Sequence, residues 1–145
     1  MSETYHENIE KIEILLRSAC FIIRQKGREI LQDFDITPPQ FNALQFLNEG
    51  ELTVSELSSK LYLAPSTITD LVDRMEKGNL VTRVRDTQDR RTVKIKIEEK
   101  GCSLIYDVIA RRCKYLDTII GEMPEADKEK FIEYLEILNK QPDSF

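Results

Sequence analysis

The means for covalent or metal chemistry are nearly missing from this chain. Its 145 residues include three cysteines, Cys20, Cys102 and Cys113, and one histidine, His6. An odd cysteine count with no Cys-x-x-Cys pair supports neither a disulfide framework nor a zinc ribbon, and agrees with a reducing cytosol. The sequence has no Gly-x-Gly-x-x-Gly, no Walker loop and no metal-ligand spacing, so no enzyme, cofactor or metal is expected. No apolar run approaches the roughly 20 residues that cross a bilayer. The first residues lack the basic-then-apolar pattern of a secretory signal. A cytoplasmic protein with no membrane partner is the expectation.

What the chain does have is material for a core and an uneven charge. Hydrophobic residues make up 41% and charged residues 32%, enough apolar surface to argue against disorder. The net charge is −5, which argues against a nucleic-acid partner until its distribution is read. Between Arg74 and Ile97 stand eight basic residues (Arg74, Lys77, Arg83, Arg85, Arg90, Arg91, Lys94 and Lys96) against three acidic ones, Glu76, Asp86 and Asp89. That segment is +5 and the remainder −10. A basic stripe on an acidic body still attracts a polyanion, because charges farther off than about 10 Å are screened by salt.

The periodicities give the element order. Ile9, Ile12, Leu16, Ala19 and Ile23 step by three or four through a long first helix over about 5–34, with Gly27 in a polar stretch where it can bend. Thr37-Pro38-Pro39-Gln40 is a helix start of the capping-box kind, and Phe41, Leu44 and Leu47 form the buried stripe behind it. Glu51-Leu52 is a short extended piece. Thr53 caps a helix over 54–61 with Val54, Leu57 and Leu61 on one face. Pro65 opens another, reaching about Lys77, with Ile68, Leu71, Val72 and Met75 inward. Then the period drops to two. Val93, Ile95 and Ile97 alternate with Thr92, Lys94 and Lys96, and 80–85 is the partner strand of a two-stranded hairpin. A helix from Glu99 carries Cys102, Ile105, Ile109, Cys113, Leu116 and Ile120 on one stripe and stops at Gly121. A last helix follows Pro124.

Two short helices around a tight turn have the form of a helix-turn-helix, whose second helix enters the major groove. Here that helix shows Ser66, Thr67, Thr69, Asp70, Asp73 and Arg74 on its polar side. Short hydroxyl side chains let a helix start sit close to base edges, and its free N–H groups favour phosphate. A solvated polar face explains the same residues by itself. The hairpin decides between the two, because its basic residues Arg83, Arg85, Lys94 and Lys96 stand beside a tip carrying Arg90 and Arg91, and arginine is the residue that enters a narrow minor groove. Asp89 can hold a neighbouring guanidinium in a fixed fork. Double-stranded DNA is the partner this combination fits.

The run Leu57-Ser58-Ser59-Lys60-Leu61, then Ser66 through Glu76, then Leu80-Val81-Thr82-Arg83, Asp86-Thr87-Gln88-Asp89-Arg90-Arg91 and Glu98-Glu99-Lys100-Gly101, resembles the multiple-antibiotic-resistance regulator (MarR) family over about 9–138. The resemblance implies a mainly α fold with a small β-hairpin wing: a winged helix-turn-helix flanked by N- and C-terminal dimerisation helices. Within a single domain of 1–145, residues 37–98 would bind DNA, and 5–36 with 99–140 would dimerise. It implies a homodimeric repressor of a pseudo-palindromic operator, its two recognition helices about 34 Å apart, released by a small-molecule effector. It makes Arg91 the minor-groove arginine and Asp89 its orienting partner. It places Ser66, Thr67, Thr69, Asp70 and Arg74 on the recognition helix.

One departure is that the family's glycine before the Leu-Val strand is replaced by Asn79, with Gly78 before it. Asparagine is the next best residue at positive φ, so the turn is expected to survive. Two other functions compete with the ligand-released repressor. A thiol-based redox sensor would need a cation or donor beside its cysteine, and Cys20 is flanked by Ala19 and Phe21. Cys102 and Cys113 fall on an apolar stripe, where small buried cysteines are common. A protein-interaction module on the same scaffold, without DNA, would have no use for the basic wing.

Overall fold

The computed structural model describes residues 6–140. In chain order the elements are α1 (Glu7–Asp33), α2 (Pro38–Glu49), β1 (Leu52–Thr53), α3 (Val54–Leu61), α4 (Pro65–Lys77), β2 (Val81–Arg85), β3 (Val93–Ile97), α5 (Glu99–Ile120) and α6 (Glu125–Asn139). The chain divides into two compact units, the boundary falling within α5 between Arg111 and Arg112.

Helix starts are set by side chains that take up free backbone donors. The Thr37 hydroxyl accepts from the Gln40 N–H at 3.4 Å, and the Gln40 side chain returns the bond to the Thr37 N–H at 2.9 Å. Thr53 and Glu56 make the same reciprocal pair at the start of α3. His6 caps α1, its Nδ1 accepting from the Asn8 N–H at 3.3 Å. The end of α4 turns through Gly78 and Asn79. Asn79 takes the left-handed conformation at φ 60°, and the Leu80 N–H returns to the Met75 carbonyl at 2.9 Å. The expectation for this turn holds.

The core of the first unit lies where α2, α3 and α4 meet the sheet. Phe41, Leu44 and Leu47 of α2, Leu57 of α3, and Ile68, Val72 and Met75 of α4 close over Val81 and Ile95. Each such side chain contributes about 1.5–3 kcal/mol on burial. Ile30 and Leu31 of α1, Ile36, Ala43 of α2, Leu71 of α4, and Ile105 and Val108 of α5 belong to the same cluster.

The sheet has three strands, not two. β1 pairs with β3 antiparallel, Leu52 opposite Ile95 and Thr53 opposite Lys94, giving the order β1-β3-β2. Two residues are too short to show a period, and the strand lies at Leu52–Thr53, one residue on from the extended piece expected at Glu51-Leu52.

The apolar stripe Ile9, Ile12, Leu16 and Ile23 on α1 is exposed in the single chain. The α1 residues that are buried are Gly27, Ile30 and Leu31, and the helix runs unbroken through Gly27. Two other expectations are corrected. Cys102 and Cys113 are exposed, because α5 turns Gly101, Ile105 and Val108 inward instead. Val93 is also exposed. It lies at the outer end of the hairpin, beyond the pairing with β1, while Ile95 is fully buried.

Where the hairpin runs into α5 the backbones touch. A Cβ on Gly101 would stand 2.5 Å from the Leu80 carbonyl oxygen and 2.8 Å from Cγ1 of Ile97. The Glu98 N–H donates to that same carbonyl at 2.9 Å.

Candidate nucleic-acid interface

Three hydrogen bonds close the turn between α3 and α4. The N–H groups of Tyr62 and Leu63 both donate to the Ser58 carbonyl, and the Ser58 hydroxyl donates to the Leu63 carbonyl. Tyr62 makes the bend with a left-handed backbone at φ 56° and is 94% exposed. Pro65 then fixes the first helical φ, and no side chain caps α4. Its first-turn N–H groups are therefore left to an outside acceptor.

Burial of Ile68, Leu71, Val72 and Met75 turns the opposite face of α4 outward. Ser66, Thr67, Thr69, Asp70 and Arg74 are all exposed on it. The Thr69 hydroxyl donates to the Pro65 carbonyl at 3.0 Å and keeps its lone pairs for an incoming donor. Asp70 and Arg74 form no ion pair among the described residues. The start of α2 lies beside this face. Thr37, Pro39 and Gln40 share a groove with Thr67, Asp70 and Arg74, a neighbourhood that sequence reading did not find because the two helix starts are far apart in the chain.

The wing loop is held by its acids. The Gln88 N–H donates to Asp86 and the Asp86 N–H to the Thr92 carbonyl. Asp89 accepts from the Arg91 N–H at 3.0 Å and from the Thr92 hydroxyl at 3.3 Å. The acid thus orients the loop backbone at Arg91 and does not grip the guanidinium in a fork. The Arg91 and Arg90 side chains form no ion pair among the described residues. Arg85 reaches the Arg90 carbonyl at 3.4 Å, and Lys94 stands 4.0 Å from Asp86.

Arg83, alone of the basic stripe among the described residues, is forked between two carboxylates. Val81, Arg83 and Arg85 share one face of β2, opposite Ile97, Ile95 and Val93. Ile95 is fully buried, so this is the face turned to the helices. The Arg83 side chain accordingly runs to α4, donating to Asp73 at 2.6 Å and to Glu76 at 2.8 Å. Its backbone N–H, on the open edge of the sheet, also donates to Glu76, at 3.1 Å. Burial alone would lower its pKa, but the hydrogen bonds and charges of Asp73 and Glu76 outweigh this and raise it. Counting charge along the sequence placed Arg83 with the wing arginines. The alternation starting at buried Val81, and the Asp-x-x-Glu spacing on α4, are the signals that separate it.

Among the described residues, no group of three or more His, Cys, Asp or Glu could hold a metal ion, and no helix is long and apolar enough to cross a membrane.

Comparison with known proteins agrees with this geometry. The MarR family model matches residues 36–93. YsmB of Bacillus subtilis, an uncharacterized HTH-type transcriptional regulator, is 53% identical over 111 residues, covering 76% of each chain. The organic hydroperoxide resistance transcriptional regulator of the same organism is 39% identical over 93 residues, covering 59% of this chain and 63% of its own. The structure of a MarR family protein from Bacillus stearothermophilus superposes with a TM-score of 0.83 at 44% identity, covering 95% of this chain and 97% of its own.

Proposed function

The chain belongs to the MarR family of DNA-binding winged-helix transcription regulators, and on that premise we propose that it acts as a cytoplasmic homodimeric repressor released by a small molecule. In this reading Ser66, Thr67, Thr69, Asp70 and Arg74 contact the major groove and its flanking phosphates. Arg85, Arg90, Arg91 and Lys94 serve the minor groove and the backbone, with Asp89 setting the loop. The family and these relatives are transcription regulators, not enzymes.

The observation that carries the reading is that the recognition helix and the wing both carry exposed guanidinium groups without carboxylate partners. Among the described residues, Arg74 on α4 and Arg85, Arg90 and Arg91 on the hairpin form no ion pair, as Arg24 and Arg28 on α1 form none, while Arg17, Arg83 and Arg111 are paired. Exposed arginines without a counter-charge suit phosphate and narrow grooves. The dimer is supported by the apolar side chains left exposed on α1, among them Ile9, Ile12, Leu15, Phe21 and Ile23, and on α6, among them Phe131, Ile132 and Ile137. Apolar surface on that scale marks an interaction site. Residues 5–36 and 99–140 are its proposed dimerisation region, and 37–98 its proposed DNA-binding region.

The test is selection of duplexes from a random-sequence pool, followed by affinity measurement at several salt concentrations. A pseudo-palindromic site and an affinity that falls steeply with salt are expected, because phosphate neutralisation releases counterions. A flat salt response, or no recovered site, overturns the reading.

A thiol signal is the second reading. It is favoured by the exposure of Cys20 on α1 and by the likeness to the hydroperoxide-resistance regulator. Loss of operator affinity on peroxide treatment, abolished in Cys20→Ser, would support it. Unchanged affinity would retire it.

A further inference from the structure

We infer that Arg83 is a positioning residue that locks the wing at one angle to α4, so that major-groove and minor-groove contacts are made in a single register. This rests on the DNA-binding reading above and adds to it a residue that need not touch DNA.

Three contacts define the lock. Nη2 of Arg83 meets Asp73, Nη1 meets Glu76, and the Arg83 backbone N–H meets the second oxygen of Glu76. The two acids stand one turn apart on α4, so a planar guanidinium spans them as a bracket and cannot pivot about one contact. The third bond ties the same carboxylate to the main chain of β2. An exposed ion pair contributes little by itself. A half-buried fork that also satisfies an edge-strand donor is a geometric constraint, and its place matters. It joins the later turns of α4 to the middle of β2, and β2 ends at Arg85, where the wing loop begins.

A competing role for the same residues is charge masking. Asp73 and Glu76 lie on a helix meant to approach phosphates, and Arg83 neutralises them. The two roles separate on Arg83→Lys, which keeps the charge but loses the fork.

The experiment uses the duplex that the wild-type protein recovers from a random pool. It measures affinity and hydroxyl-radical footprints for Arg83→Lys and Asp73→Asn, each also combined with Arg91→Ala. Positioning predicts protection retained under α4 and lost under the wing, with affinity lowered roughly tenfold. It also predicts that Arg91→Ala costs much less in either background than in wild type. If Arg83→Lys fails to fold, Asp73→Asn carries the test, since it removes one contact at a half-exposed carboxylate. Wild-type affinity and footprint in the variants, or an undiminished cost of Arg91→Ala in them, overturns the inference. A wild-type protein that recovers no duplex removes the parent reading, and this inference with it.

Discussion

The backbone N–H of Arg91 donates to Oδ1 of Asp89 at 3.0 Å, so the acid fixes where the arginine leaves the loop without occupying its guanidinium. Arg91→Ala should therefore leave the melting temperature nearly unchanged. It should weaken binding to the selected duplex about tenfold or more, as measured by fluorescence anisotropy. Equal affinity in wild type and variant would show that the minor-groove role belongs elsewhere.

Gly101→Ala should destabilise the protein by about 1–3 kcal/mol, read as a lower urea midpoint at constant slope. The new methyl would press on the Leu80 carbonyl, which is backbone and already accepts from Glu98, so no flexible side chain can give way. A midpoint equal to wild type would mean that α5 can shift off the sheet freely.

The exposed face of α1 is expected to hold a second copy of the chain. Ile12→Asp combined with Ile23→Asp places charge in that face without touching the buried Ile30 and Leu31. Light scattering after size exclusion should report a dimer for wild type and a monomer for the variant. The variant should also lose affinity for a two-half-site duplex by far more than for a single half-site. A dimeric variant would move the interface away from α1.

Tyr62 and Asn79 are both left-handed, at φ 56° and 60°, and should respond differently to glycine. Tyr62→Gly relieves a bulky residue with no packing to lose, and is expected to raise stability by up to about 1 kcal/mol in thermal melts. Asn79→Gly should be close to neutral, because asparagine tolerates this conformation, whereas Asn79→Val should cost about 1–2 kcal/mol. A stabilised Asn79→Val would contradict the turn geometry.

The helix-turn-helix was legible because each of its boundaries has a local cause. Thr37 with Gln40, Thr53 and Pro65 act within one turn, and the stripes behind them face a core supplied by the same chain. The stripe on α1 was read correctly as apolar, but periodicity cannot say whose surface covers it. Cys102 and Cys113 fall in phase with Ile105, yet α5 buries only the narrow line of Gly101, Ile105 and Val108. Arg83 was misplaced because a charge count ignores strand phase. Its acidic partners, seven and ten residues earlier, become neighbours only once α4 and β2 are folded.

Thr53 stands opposite Lys94 in the sheet, and its hydroxyl and N–H close the first turn of α3 with Glu56. One residue thus serves as a rung of the wing and as the lid of the helix pair. A hybrid regulator built by grafting α3 and α4 between relatives would have to carry Leu52 and Thr53 with them, together with the β3 residues they pair with. The exchangeable cassette therefore begins ahead of Leu52, and a seam cut after Thr53 would hand one parent's strand to the other parent's helix.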